Sequence, residues 1–459
     1  AAAAVMAERP RRTEFPSHAV ERARAILRDV GPAARGYAAV LRAGEAARLP
    51  PWRIADHGGN ETHRVFARKS QARLTEGAPG LFTKSGFYAV VAPQVLLAAQ
   101  SIRDNAWILD QSAGQPPISP TLEKDIFNLY FKEYARRWEE LLDDLTLVDA
   151  ADLRRQADLA GVMAGRESPL AKLLRAVAAE TSLTGGGLSP AAQLLTAHAS
   201  WAAVAALAKS EVDDRFFLLA NFAGPAPSRL DNLVKALEAA HSDLLRLSKS
   251  SGPERPDTQA AQMLINETLQ APYPVKNWIE TLAAKITANA VNGAREKLNA
   301  EWSANVLPWC GRVVDGRYPF SPTGVEASID DFARLFSPGG VLDAFFDSRL
   351  RPYVDTAAPT WRWRLGEGQD LGVAPSTAVM FQTAARIRDA FFAGGGKEPR
   401  AVFDIKLNRI AGGGQQVELT VDGRTVNFIA GAPNAQQIVW PGTSGARQVL
   451  AAFPPPPAA

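Results

Sequence analysis

Length, composition and charge are those of a folded globular protein. Its 459 residues, 46% hydrophobic and 22% charged, match ordinary globular proteins and exceed the size at which one hydrophobic core usually keeps growing. A formal net charge of +3, without a dense run of lysine and arginine, argues against nucleic-acid binding. The single cysteine, Cys310, excludes an internal disulfide and a zinc site built from several cysteines.

Residues 17–307 show the spacing of amphipathic helices separated by short turns. Thr121 to Val148 predicts one long helix, which follows a proline-rich stretch. No apolar run reaches the roughly eighteen residues that cross a bilayer, so we predict no membrane-spanning helix. Residues 1–12 also lack the basic-then-apolar order of a secretory signal. The clearest apolar stripe consists of Leu230, Leu233, Val234, Leu237, His241, Leu244 and Leu245.

Residues 310–355 hold the densest series of helix start and stop signals. Ser328 is a suitable N-cap, and Asp330 and Asp331 place negative charge in the first turn, where the exposed N–H groups favour it. Pro338, Gly339 and Gly340 end this helix, and a second short helix follows before Pro352. The apolar positions of the two predicted helices are Ile329, Phe332, Leu335, Phe336, Val341, Leu342, Phe345 and Phe346.

After Asp355 the pattern changes to the two-residue period of strands. Trp361 to Leu365 alternates large apolar and charged residues, and Val402 to Leu407 alternates again. Asp422-Gly423 is a two-residue hairpin signal between apolar alternating segments. One helix interrupts the strands, with Met380, Ala384, Ile387 and Phe391 on one face.

These patterns predict an α+β multidomain fold. Residues 1–150 and 151–355 are expected to form helical subdomains, the second ending in the signals described above. Residues 356–453 are expected to form a small β-rich, sandwich-like domain with one embedded helix. The proline-rich residues 454–459 are predicted to be disordered.

Reactive side chains form no catalytic or metal-binding pattern. His57 and His63, with Asp56 and Glu61, are the densest group of metal ligands, but Gly58-Gly59 breaks any helix that would align the histidines. The acidic pairs consist of neighbouring residues, which point apart on a helix and therefore favour capping over two-carboxylate catalysis. We predict no catalytic residue, no cofactor and no metal, and a buried, inert Cys310. The acidic pairs are Asp143-Asp144, Asp213-Asp214 and Asp330-Asp331.

An ordered series of residues carries a family resemblance. The series begins with Cys310 and ends with Trp440, Pro441 and Gly442. It resembles the C-terminal periplasmic region of the TssM family, also called IcmF or VasK, of type VI secretion systems. The members between these ends are Arg317, Tyr318, Pro319, Phe320, Asp331, Phe332, Phe336, Gly339, Gly340, Phe345 and Phe346.

The resemblance implies a structural protein and not an enzyme. It implies the periplasmic part of an inner-membrane-anchored protein, which binds the outer-membrane lipoprotein TssJ through its C-terminal β domain and assembles with TssL and further copies of itself. Contact with the membrane is expected only through upstream helices outside these 459 residues. We place the surface that binds TssJ within residues 400–440, where the hairpin lies, with Asp422, Gly423, Arg424 and Asn427 as candidate contacts.

Two departures from the family pattern are visible. The family's nucleotide-binding-like domain and transmembrane helices are absent from the sequence, and its closing Gly-Pro-Trp-Ala motif does not follow Gly442. Ten tryptophans and the acidic pairs leave a second interpretation open, an extracytoplasmic protein that binds or cleaves peptidoglycan or another glycan. A cytosolic helical scaffold is a third, which fits the composition but not the ordered series.

Overall fold

The chain divides into two compact units in a computed structural model. The N-terminal unit comprises Ala1–Lys249 and Gln259–Ile286, and the C-terminal unit comprises Ser250–Thr258 and Thr287–Ala459. The predicted subdomain boundaries at residues 150 and 355 differ from this division and stay predictions. The structure describes residues 17–106, 120–185, 201–249, 258–318, 320–322, 325–364, 372–408, 415–421, 424–429 and 435–441.

The N-terminal unit is mainly helical, as predicted. A last helix, α13 (Val275–Glu301), begins in this unit, and the boundary between the units falls within its residues. Single turns of 3₁₀ helix occur at Ala46–Arg48 and Gly80–Phe82. The other described helices are α1 (Ser17–Asp29), α2 (Pro32–Leu41), α3 (Ile54–Gly58), α4 (Thr62–Val65), α5 (Lys84–Asp104), α6 (Leu122–Asp144), α7 (Leu153–Ala164), α8 (Pro169–Glu180), α9 (Trp201–Ala208), α10 (Phe217–Phe222), α11 (Arg229–Lys249) and α12 (Gln259–Thr268).

Helix α6 supplies the centre of this unit's core. Tyr130, Tyr134 and Trp138 recur every four residues and are completely buried. The polar group of each side chain donates a hydrogen bond to a backbone carbonyl of another element. Tyr130 Oη donates to Leu81 O (2.8 Å), Tyr134 Oη to Glu180 O (2.9 Å) and Trp138 Nε1 to Phe82 O (3.0 Å). The aromatic stripe therefore fixes the position of two neighbouring segments as well as filling space.

Helix α5 corrects the expectation that no apolar run is long enough to cross a bilayer. Among the described residues, this one helix is long and apolar enough to cross a membrane by length and composition. Phe87, Val91, Val95 and Ala99, which follow one another at four-residue spacing, are completely buried, whereas Leu97 is 62% exposed. Because one continuous face packs into the core of the N-terminal unit, the burial pattern is that of a core helix.

Prolines are accommodated in three helical segments by a wider turn. Ala92 N–H donates to Phe87 O, Leu307 N–H to Trp302 O and Arg351 N–H to Phe346 O, each five residues back. The next residue is a proline in every case. A proline ring clashes with the carbonyl four residues earlier, and the π turn moves that carbonyl aside. The other described π turn, Lys209–Asp213, has no such proline.

Short strands in the N-terminal unit were not predicted. β1 (Trp52–Arg53) pairs with β3 (Gly77–Ala78), and β2 (Phe66–Arg68) pairs with β4 (Leu145–Leu147), both antiparallel. The predicted helix at 121–148 therefore ends at Asp144 and continues as β4. Asp144 holds this junction, since its carboxylate accepts Arg68 Nε (2.6 Å) and the N–H of Ser70 (2.7 Å). Strands of two or three residues are too short to show an alternating pattern.

The C-terminal unit combines short helices with small antiparallel sheets, so the predicted α+β fold class is confirmed. β5 pairs with β6, β7 with β10, and β8 with β9. Of the strand predicted at Trp361 to Leu365, the structure shows Arg362–Trp363, and Leu365 lies outside the described residues. The predicted helices and hairpin strands are present. The elements are α14 (Leu307–Val313), α15 (Ile329–Phe336), α16 (Val341–Phe345), a 3₁₀ turn (Arg351–Tyr353), β5 (Val354–Asp355), β6 (Arg362–Trp363), α17 (Pro375–Phe391), β7 (Ala401–Lys406), β8 (Gln416–Val421), β9 (Arg424–Ile429) and β10 (Ala435–Trp440).

Glu180, at the end of α8, provides a test of the N-terminal unit. Its carboxylate accepts the N–H of Lys84 at the start of α5 (2.6 Å). Burial raises the pKa of Glu180, against the opposing effects of that hydrogen bond and of His57 and Lys84. The folded protein therefore holds this proton more tightly than the unfolded chain, and the stabilisation is lost as the pH rises above the ordinary glutamic acid pKa of about 4.3.

We expect Glu180→Gln to reduce the pH dependence of the unfolding free energy. The amide keeps an oxygen for Lys84 N–H but does not ionise, so the variant should lose less stability than the wild type from about pH 4 to about pH 8. Urea unfolding at a series of pH values measures this. Glu238→Gln, which replaces an exposed glutamate of the same unit, is the control. Parallel profiles for the wild type and Glu180→Gln would contradict the assignment.

Candidate partner-binding surface and signature core

The hairpin of β8 and β9 has one apolar and one polar face. Val417 lies opposite Phe428, and Leu419 lies opposite Val426. Val426 and Phe428 are buried, so this face points into a core. The other face is exposed and mainly polar, with Ile429 as its apolar member. Its cross-strand pairs are Gln416 with Ile429, Glu418 with Asn427, and Thr420 with Thr425.

Strands β7 and β10 complete this small core. Ile438 of β10 is buried, and Ile405 and Leu407 pack against the same cluster as the apolar face of the hairpin. Gln436 Nε2 of β10 donates to Asn427 O of β9 (2.8 Å), which joins the two sheets. The four strands therefore enclose a common apolar core, although it has only three buried side chains among the described residues.

The predicted TssJ contacts lie at the hairpin, to the extent that the structure describes them. Asn427 is exposed on the polar face, and Arg424 begins β9, opposite Val421. Asp422 and Gly423 lie outside the described residues. The structure thus places Arg424 and Asn427 on one strand, three residues apart and therefore on opposite faces of the hairpin. Their role in binding stays a prediction.

Trp440 attaches the strands to the helices of the C-terminal unit. Its buried ring meets the ring of Phe391 edge-on, with a centroid distance of 5.8 Å. Phe391 in turn meets Phe332 at 5.3 Å, and its carbonyl accepts the N–H of Arg400 just before β7 (2.6 Å). This part of the predicted signature therefore acts by packing, at the position where the strands leave the helices.

The central signature residues form the core of the C-terminal unit. Phe332, Phe336, Phe345 and Phe346 are all buried in one cluster. Phe332 and Phe336 lie on α15, whose predicted cap is present, since Ser328 Oγ accepts the N–H of Asp331 (3.1 Å). We call this cluster the signature core.

Glycines between the two signature helices allow a close turn. Gly339 has a φ of +70°, which side-chain-bearing residues rarely adopt. A Cβ atom on Gly340 would lie 2.8 Å from Ser337 O and 2.9 Å from Arg334 O. The turn that stacks α16 against α15 therefore requires glycine at both positions.

The remaining signature residues lie at the edge of the signature core. Phe320 stacks on Phe336 at 5.7 Å, and Tyr318 N–H donates to Val325 O (2.8 Å), while Arg317 is half-buried. Cys310 is also half-buried, and burial, followed by the charge of Asp315, raises the pKa of its thiol. A raised pKa disfavours the reactive thiolate. Pro319 and Gly442 lie outside the described residues.

A cavity of about 210 Å³ opens beside the signature core. Its charged lining groups are paired, because Arg388 donates to Asp343, and Arg351 Nε donates to Asp347 (2.8 Å). Burial lowers the pKa of Arg388, but hydrogen bonds to Asp389 and Asp343 outweigh this and raise it. Sequence reasoning missed the Asp343–Arg388 pair, because 45 positions separate its members and no local pattern connects them. The cavity's apolar lining is Phe336, Leu342, Phe346, Trp361, Phe381, Ala384 and Ala385.

His57, His63 and His241 make structural contacts. His57 stacks on Trp52 with a centroid distance of 4.3 Å, and exposed His63 makes a local contact from Nδ1 to Asn60 O (3.0 Å). His241 Nδ1 lies 2.7 Å from Ala157 O of α7. Across the part of the chain that the structure describes, no group of three histidine, cysteine, aspartate or glutamate side chains is placed to hold a metal ion. His198 falls outside that part.

The acidic pairs are used locally. Besides Asp144 at the β2–β4 junction, Asp213 accepts the N–H groups of Leu183 (2.7 Å) and Thr184 (3.0 Å), and Asp214 pairs with Lys209 (2.5 Å). These carboxylates stabilise turns and junctions of the backbone.

Comparisons with known proteins bear on the family. The IcmF-related family model, described as "Intracellular multiplication and human macrophage-killing", matches residues 1–182. The model of the type VI secretion protein IcmF helical domain matches residues 293–397. A curated relative, the "Type VI secretion system component TssM1" of Pseudomonas aeruginosa (strain PAO1), is 30% identical over 486 residues, which cover 99% of this chain and 44% of the relative. The chain thus spans less than half the length of that relative.

Two solved structures share the fold. A chain of a "Type VI secretion system membrane core complex" aligns with a TM-score of 0.60 at 18% identity, covering 90% of this chain and 81% of that one. A chain of a "Type VI membrane complex" aligns with a TM-score of 0.54 at 19% identity, covering 91% and 79%. At these identities the likeness concerns the fold.

The fold defines a multidomain α+β protein that is helical for most of its length and ends in small antiparallel sheets. With both family models and the curated relative in agreement, the chain belongs to the TssM (IcmF) family of type VI secretion components, as the signature residues predicted.

The signature core can be tested by truncating one of its rings. Phe346 is 4% exposed and contacts the rings of Trp361 (4.9 Å) and Phe381 (5.4 Å). We expect Phe346→Ala to lower the unfolding free energy of the C-terminal unit by about 3–5 kcal/mol, because it leaves a cavity in a packed cluster. Met380→Ala, at a position that is 43% exposed, is the control and should cost far less. Urea unfolding followed by circular dichroism distinguishes them, and equal losses would contradict a packing role.

Proposed function

We propose that this chain is a structural part of the type VI secretion membrane core complex, located in the periplasm, and that it binds the lipoprotein TssJ through its C-terminal strands. One observation carries the proposal: the alignment to a curated TssM1 runs through 99% of the chain at 30% identity. The fold shared with chains of solved type VI membrane complexes supports it.

The physical organisation of the two units suits such a role. Each unit is built on a core of buried aromatic side chains, and close-packed cores resist deformation. The strands of residues 401–440 are tied to the signature core by Trp440 and expose the polar face of the hairpin. A rigid base beneath a small exposed sheet is a favourable arrangement for protein recognition.

The proposed mechanism involves binding and no bond-breaking step. The charged groups lining the cavity beside the signature core pair with one another, and burial disfavours the Cys310 thiolate. We propose that TssL and further copies of the same protein are the other partners, through segments of the longer protein as well as this one. Membrane attachment would then lie in those other segments.

Substitutions on the hairpin test the proposed TssJ surface. We expect Arg424→Glu combined with Asn427→Glu to weaken binding to purified, soluble TssJ by about tenfold or more, because the two positions lie on opposite faces of β9 and a contact on either face would meet a new negative charge. Isothermal titration calorimetry with the full chain measures the affinity.

The matched control is Arg386→Glu combined with Thr383→Glu on the exposed side of α17. It introduces the same charge at positions outside the strands and should leave the affinity unchanged. Unchanged binding by the hairpin variant would overturn the placement of the surface. If the wild-type chain ignores TssJ at high micromolar concentration, the TssJ proposal itself is wrong.

A further inference from the structure

One tryptophan of the C-terminal unit contacts two arginine side chains. Trp309 lies on α14 and packs against the signature core. The Cζ atom of Arg312, on the same helix, lies 4.8 Å from the centre of the Trp309 ring, and the Cζ atom of Arg334, from α15, lies 4.4 Å from it. Both distances fall within the range of cation–π attraction, so one ring holds two guanidinium groups in place.

Neither guanidinium has an acidic partner among the described residues. Arg312 and Arg334 are both exposed, and neither forms an ion pair or a side-chain hydrogen bond there. Neighbouring arginines of the same unit behave differently: Arg349 pairs with Glu301 (2.7 Å), and Arg351 pairs with Asp347 (2.8 Å). The donor groups of the two arginines at Trp309 are therefore available to a ligand.

The geometry brings the two guanidinium groups close together. Because both Cζ atoms lie within 5 Å of one ring centre, they are at most about 10 Å apart, which is about one Debye length at 0.1 M salt. At that separation the two cations repel each other, and an incoming carboxylate is attracted by both. Guanidinium groups also bind carboxylates through two parallel hydrogen bonds, which adds geometric specificity.

The composition of this patch favours a protein ligand. Tryptophan and arginine are among the residues most enriched at the centres of protein interfaces. Anionic membranes are typically bound by clusters of four or more basic residues, and nucleic acids by longer basic stripes. Two arginines around one ring fit a single acidic segment better.

We infer that Trp309, Arg312 and Arg334 form a second docking surface, which binds an acidic segment of a partner protein. The surface is built from α14 and α15 and uses none of the residues of the C-terminal strands. It therefore goes beyond the proposed TssJ contact and stands whether or not TssJ binds the hairpin. The carboxylates would sit at the guanidinium edges, with the indole ring holding both arginines in position.

A labelled acidic peptide tests the inference on the full chain. The probe is a short fluorescein-labelled peptide rich in glutamate and leucine, and the readout is fluorescence anisotropy at low and at moderate salt. We expect the dissociation constant to rise about tenfold or more in the Arg312→Gln/Arg334→Gln variant, and binding by the wild type to weaken with added salt. Both substitutions are at exposed positions, and circular dichroism checks that the variant folds.

The control variant, Arg386→Gln/Lys397→Gln, removes the same charge from exposed positions of the same unit and should bind the peptide like the wild type. Equal loss in this control would show a general charge effect and overturn the inference. The same holds if the peptide does not bind the wild type, or binds the Arg312→Gln/Arg334→Gln variant equally well. Binding to phosphatidylglycerol vesicles is measured in parallel. If the chain binds vesicles only when both arginines are present, and does not bind the peptide, the surface is a lipid site and the inference is wrong.

Discussion

The hydrogen bonds from the aromatic side chains of α6 to backbone carbonyls are the constraint on which the N-terminal unit depends. Tyr130, Tyr134 and Trp138 are completely buried, and burying their polar atoms without a partner would cost free energy. The carbonyls that accept from them belong to the turn at 80–82 and to the end of α8. The same side chains thus fill the core and position the backbone. An aromatic ring shifted by one position in the sequence would leave both a void and an unpaired polar group.

The C-terminal unit is built on aromatic packing of a different kind. Its phenylalanine side chains have no polar atom, so their orientation is set by ring-to-ring packing and by the turns that position their helices. Gly339 and Gly340 bring α16 close to α15, and Trp440 carries the contact on to the strands. The described signature phenylalanines and Trp440 therefore act through packing.

Proline has a double role in this chain. At the start of α8, Pro169 occupies the first helical position after the cap Ser168, where the missing N–H costs nothing. Pro93, Pro308 and Pro352 instead follow π turns, which move aside the carbonyl that the ring would strike. A helix such as α5 can therefore continue through a proline. The widened turn at 87–91 lies within its buried part, where Phe87 and Val91 contact the core.

The sequence by itself determined the α+β class, the capped helix after Ser328, the hairpin strands around residue 422 and the family, because each depends on local spacing or on an ordered series of residues. Only the tertiary structure decided that the helical run from Lys84 to Asp104 packs into a core, that the chain turns from α6 into β4 at Asp144, and that Asp343 meets Arg388. The same holds for the pairing of Arg312 and Arg334 on one indole ring. The physical reason is distance along the chain: periodicity shows which face of a segment is apolar, but the partner of that face is chosen by packing between segments far apart in sequence.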